Sequence, residues 1–111
     1  MEVFSPKQEK QDNTMAKRTN KYKLTLEEIS LAKEDDLSNA PLTLEFDNHD
    51  NLFNIINAVK SKSIFEDENQ SVEFAIGLKM FTEVILKNRD NELFKELQPA
   101  IGEFMKKLKS K

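Results

Sequence analysis

The sequence predicts an α+β fold, an antiparallel two-strand sheet followed by three helices packed on one of its faces. Three observations carry this expectation. Two segments in the first half alternate apolar and polar residues, the period of a half-buried strand. Three later segments repeat their apolar residues with the period of a helix. Only two of the 111 residues are glycine, Gly77 and Gly102, and both fall inside those helical segments, in FAIGLKMF and QPAIGEFM.

Residues 1–20 show no periodicity and include Pro6, Asn13, Asn20 and many charges, which reads as a flexible tail ahead of a single domain over 21–111. Met15, followed by Ala-Lys-Arg, is an alternative start site to Met1. Tyr22, Leu24 and Leu26 then alternate with Lys23, Thr25 and Glu27, giving the first strand. Ile29 and Leu31 have the opposite parity, so the strand either bulges near Glu27-Glu28 or ends there. An acidic loop runs from Lys33 to Pro41. Leu42, Leu44 and Phe46 alternate with Thr43, Glu45 and Asp47 in the second strand, which should pair antiparallel with the first. A third strand from Leu31 onward is an alternative way to cover a sheet edge.

Asp50 is placed to cap a first helix whose apolar face is Leu52, Phe53, Ile55, Ile56 and Val59. Ser61-Lys62-Ser63 ends it, and Ile64 and Phe65 are expected to plug the core from the connecting loop. Asp67 and Gln70 have the spacing of a capping box. The second helix, to about Asn88, is apolar almost all round and so reads as central and buried. Its charged exceptions, Lys79, Glu83 and Lys87, recur every fourth residue as one wet stripe. Gly77 lies on the buried side and should mark a close contact, whereas Gly102 should be exposed. The last helix carries Leu93, Phe94, Leu97, Ile101, Phe104, Met105 and Leu108 on one stripe. That stripe keeps its phase across Pro99, which favours one helix kinked at Pro99 over two shorter ones. Phe81 and Phe104 should meet in the core.

Composition removes several function classes. With no glycine left for a loop, phosphate-cradling and nucleophile-elbow motifs have no material. There is no Cys, no Trp and a single histidine, His49. No disulfide can form, which fits a cytoplasmic address. No apolar run approaches the roughly 20 residues that span a bilayer, and the N-terminus lacks the apolar stretch of a secretory signal. The formal net charge of −3 is unevenly spread: +1 over residues 1–20, −7 over 21–75 and +3 over 76–111. The basic end holds Lys106, Lys107, Lys109 and Lys111, a placement that complements the negative end of a helix dipole. A pI near 5.3 and the missing aromatic platform argue against nucleic-acid binding.

Four blocks carry a resemblance. They are Phe46-Asp47-Asn48-His49-Asp50, then Gly77 through Val84 (GLKMFTEV), then Leu86-Lys87-Asn88-Arg89-Asp90, then Phe104 through Lys109 (FMKKLK). In this order they resemble a family of small bacterial proteins catalogued as a domain of unknown function. The resemblance spans roughly Lys21 to Lys109 and implies a bacterial source and a stand-alone domain. It implies no activity, ligand or catalytic residue. Asn88 stands where histidine is expected in that turn.

His49-Asp50 is the one place with acid–base chemistry, and the weak catalytic candidates are His49 and Asp50. The competing reading has Asp50 as a helix cap and His49 in the turn. One histidine with scattered carboxylates lacks the compact spacing of a metal site, so neither metal nor cofactor is expected. The favoured reading is a protein–protein interaction or regulatory module, with a small enzyme or ligand binder using His49 and Asp50 as the rival. A candidate partner-binding surface is Ile76, Lys79, Met80, Glu83 and Lys87, where two apolar residues flank the charged stripe. The partner is another protein or a second copy of the chain, because two short strands leave sheet edges that something must protect.

Overall fold

The structure is a computed structural model and describes residues 18–33 and 35–111. Its order is β1 (Asn20–Leu26), β2 (Leu42–Asn48), α1 (Leu52–Ser61), α2 (Glu68–Lys87), α3 (Glu92–Lys95) and α4 (Leu97–Lys109). The fold class is α+β, as expected. The chain divides into two compact units, a hairpin unit ending at His49 and a helical unit from Asp50 to Lys111. Of the expected N-terminal tail, residues 1–17, and with them both candidate start sites, lie outside the described residues; Asn20 already belongs to β1.

In the hairpin unit β1 and β2 pair antiparallel with Tyr22 opposite Phe46, Leu24 opposite Leu44 and Leu26 opposite Leu42. Every apolar residue of one strand therefore faces an apolar residue of the other, the arrangement that side-chain pairing rewards. The Tyr22 and Phe46 rings lie 5.6 Å apart, tilted by 33°. Polar positions pair in the same way, with Lys21 opposite Asp47 (3.7 Å) and Lys23 opposite Glu45. β1 ends at Leu26, so the change of parity at Ile29 marks a strand end and not a bulge. Among the described residues the sheet has two strands, and the third-strand alternative is not taken up. The long connection is clasped by Glu28, whose carboxylate accepts from the Asn39 backbone N–H and from Asn39 Nδ2, both at 2.9 Å.

In the helical unit the core is small. Ile56 and Val59 of α1 and Ala75 of α2 form its centre, with Ile55, Phe65, Val72, Phe74 and Ile76 packed against it. Leu52 and Ile85 are also buried. Phe65 plugs this core from the α1–α2 connection, as its position suggested. α1 begins one residue later than the expected cap. Asn51, not Asp50, caps it, its Oδ1 accepting from the N–H groups of Phe53 (3.0 Å) and Asn54 (3.3 Å). Both side chains are competent caps; the apolar phase sets the first turn at Leu52, and Asn51 is the residue next to it. After α1 the chain turns through Ser63, whose φ of 55° lies in the left-handed region that favours glycine. Asp67 caps α2, accepting from the Asn69 N–H at 2.8 Å, while the Gln70 N–H goes to the Asp67 backbone oxygen, so the cap forms without the box.

Three expectations about α2 fail. α2 is not buried all round: it buries Ser71, Ala75 and Ile85, while Phe81, Val84 and Leu86 are exposed. A helix with few neighbours can cover only one side, whatever its composition. Phe81 consequently does not meet Phe104; Phe74 takes that place, edge to face with Phe104 at 6.2 Å and 5.4 Å from Phe65. Gly77 is not a close contact, since among the described residues nothing lies within 4 Å of where its Cβ would be, and Gly102 is equally open.

The final apolar stripe is carried by two helices, so among the described residues there are four helical elements in place of three. The interruption falls at Glu96 and not at Pro99. Pro99 has no N–H for the carbonyl of Lys95, four residues earlier, and its ring crowds that carbonyl. The helix therefore stops at Lys95 and restarts at Leu97, which puts Pro99 in the first turn of α4, where proline is tolerated. Glu96 keeps helical dihedrals (φ −73°, ψ −26°), which is why the stripe stays in phase.

Candidate functional site

Asp50 is released from capping by Asn51, and its carboxylate is in direct contact with the ammonium of Lys79 in α2. Only 16% of the Lys79 side chain is exposed. A lysine that far from water holds its charge most cheaply beside a carboxylate, so this pair joins the start of the helical unit to the middle of α2. The sequence reading placed Lys79 on a wet stripe; its partner sits 29 positions upstream, beyond any spacing argument. Asp50 is thus a charge partner for lysine, and His49 lies exposed directly after β2.

Beside this pair is a cleft of about 370 Å³ bounded by α1, α2 and α4. Its apolar walls come from Ile55, Ala58 and Val59 of α1, Leu78 of α2, and Met105 and Leu108 of α4. Its polar groups are three lysines, Lys62, Lys79 and Lys109, against the one carboxylate of Asp50. The cleft exists because α1 and α2 pack closely while α4 approaches them less closely. Lys62 Nζ donates to the backbone oxygen of Lys111 at 2.9 Å, tying the end of α1 to the end of the chain.

Of the remaining predicted surface on α2, Ile76 packs against the core, Met80 and Glu83 are half-buried and Lys87 is exposed. Arg89 lines a second, separate groove with Thr82, Ile85, Leu86, Gln98 and Ile101, and its backbone oxygen accepts from Gln98 Nε2 at 2.9 Å. Asp50 and Arg89 thus line different grooves. Among the described residues no group of three His, Asp or Glu side chains is placed to hold a metal ion. None of their helices is long and apolar enough to cross a membrane.

The sequence reading missed the apolar face of the hairpin as a surface. Leu24, Leu26, Leu42 and Leu44 lie on it in two cross-strand pairs, and they are 37, 68, 63 and 45% exposed. Alternation alone assigns such residues to an interior; the signal that they remain outside is the shortness of the sheet, which has two strands of seven residues.

A hairpin followed by four helical segments defines a small α+β protein. Residues 20–110 match the model of a family described as a domain of unknown function with a solved structure (DUF3861), and the chain belongs to that family. It is similar to a protein of unknown function from Pectobacterium atrosepticum whose crystal structure was determined at 2.20 Å. The two are 33% identical with a TM-score of 0.73, over 85% of this chain and 100% of the other. No curated protein matches the chain.

Proposed function

We propose that this protein is a bacterial cytoplasmic protein–protein interaction or regulatory module, and that it associates with a second copy of itself through the hairpin. The observation that carries the reading is the four-leucine face of β1 and β2, left well exposed in the single chain. Contiguous exposed apolar residues on a sheet are costly in water and are characteristic of contact surfaces.

A second copy suits this face because an isologous contact must be complementary to itself. The leucine face carries no charge to repel its own image, while Lys21, Lys23, Glu45 and Asp47 stand on the alternate positions. The surface on α2 (Ile76, Lys79, Met80, Glu83, Lys87) has less support, because Ile76 packs against the core and Lys79 is engaged by Asp50. The enzyme or ligand reading built on His49 and Asp50 has less support for the same reason. Sedimentation equilibrium at micromolar concentration tests the proposal. The expected result is a two-fold mass for the native chain and a single mass for Leu24→Glu and Leu44→Glu with folding retained. A strictly monomeric native chain overturns it.

A further inference from the structure

We infer that the cleft bounded by α1, α2 and α4 is a binding site for a small amphipathic carboxylate, its head at Lys62 and Lys109 and its apolar tail against Ile55, Leu78, Met105 and Leu108. The volume, about 370 Å³, lies within the range of small-molecule sites, roughly 300–1,000 Å³. The composition is that of such a site, apolar walls with a few polar groups at the edge. Charge selects the sign of the ligand. Three lysines face one carboxylate; that carboxylate is held by Lys79 and Lys62 donates to the main-chain oxygen of Lys111, so the surplus positive charge is that of Lys109, with Lys62 able to share its donors.

Charge also sets the orientation. Asp50 and Lys79 satisfy each other at their end of the cleft, which leaves the head at the end where α1 and α4 finish. There Lys62 already donates to the main-chain oxygen of Lys111, so an acceptor at this position is geometrically suited to it. A ligand carboxylate would take over or share that donor. The inference is independent of the hairpin contact, because all its residues belong to the helical unit.

The test uses the full chain and sodium decanoate below its micellar range, followed by methyl and amide NMR titration with calorimetry. Saturable shifts centred on Ile55, Ala58, Leu78, Met105 and Leu108, with decan-1-ol binding at least tenfold more weakly, are expected. Lys62→Gln and Lys109→Gln should each weaken decanoate several-fold while leaving the melting temperature unchanged. Ala58→Phe, at an exposed position of α1 that lines the cleft, should abolish binding by filling it. The proposal is overturned by absence of saturable shifts, by equal binding of the alcohol, by lysine variants that bind like the native chain, or by shifts centred on the hairpin leucines.

Discussion

Ser63 is the clearest local misfit among the described residues. A left-handed backbone costs a residue with a Cβ about 1–2 kcal/mol, so Ser63→Gly should stabilise the protein by about 1 kcal/mol in a denaturant melt. Gly77 gives the opposite case. It sits in an α2 interior with open space around its missing Cβ, and Gly77→Ala should stabilise by about 0.5–1 kcal/mol. A loss of stability would mean that α2 has a neighbour at this point. Glu28 supplies a pH dependence. The Asn39 backbone N–H, and then its side-chain amide, hold the Glu28 carboxyl below its ordinary value. The clasp therefore contributes fully above the ordinary glutamate range and is lost as pH falls through the lowered folded value. The Asn39 amide signals should titrate with that midpoint; a midpoint at or above the usual glutamate value would contradict the clasp. None of these three features has a periodic signature. Ser63, Gly77 and Asn39 could be placed on elements from the sequence, but a sign of φ, an empty space and a contact across eleven residues could not.

The strands and the first two helices were legible because apolar spacing decides them. β1 and β2 cover the segments where apolar and polar residues alternate, and α1 stops at Ser61 where the polar run begins. Neighbouring candidates of similar chemistry were not separable, as Asp50 and Asn51 show. The last two helices were misread because proline was treated as acting at its own position, whereas it disturbs the carbonyl four residues earlier. Pro99→Ala should therefore join α3 and α4 into one helix and raise the far-ultraviolet helical signal. The gain in stability should stay well below the roughly 3 kcal/mol of a mid-helix proline, because Pro99 occupies a first turn. The phenylalanines give a second check on how α4 packs. Phe74 touches both Phe65 and Phe104, so Phe74→Ala should cost about 3 kcal/mol, against about 1 kcal/mol or less for exposed Phe81→Ala. Equal costs would restore α2 to the buried role that its composition suggested.

Among the described residues, apolar content exceeds what the elements cover. The helical unit centres on three buried apolar side chains, and the hairpin leaves two leucine pairs in water. Composition could not reveal this, because it counts apolar residues without counting the neighbours available to bury them. The same gap explains the site: Lys79 was read as solvated, yet the fold brings it to Asp50 and beside an apolar cleft. We propose the hairpin leucines as the contact surface for a second copy. An NMR dilution series of methyl-labelled protein tests it most directly. Concentration-dependent shifts are expected at Leu24, Leu26, Leu42 and Leu44, with the methyls of Ile56 and Val59 unmoved. Leucine signals in the hairpin that stay constant from micromolar to millimolar concentration, or changes centred on the helices, would contradict it.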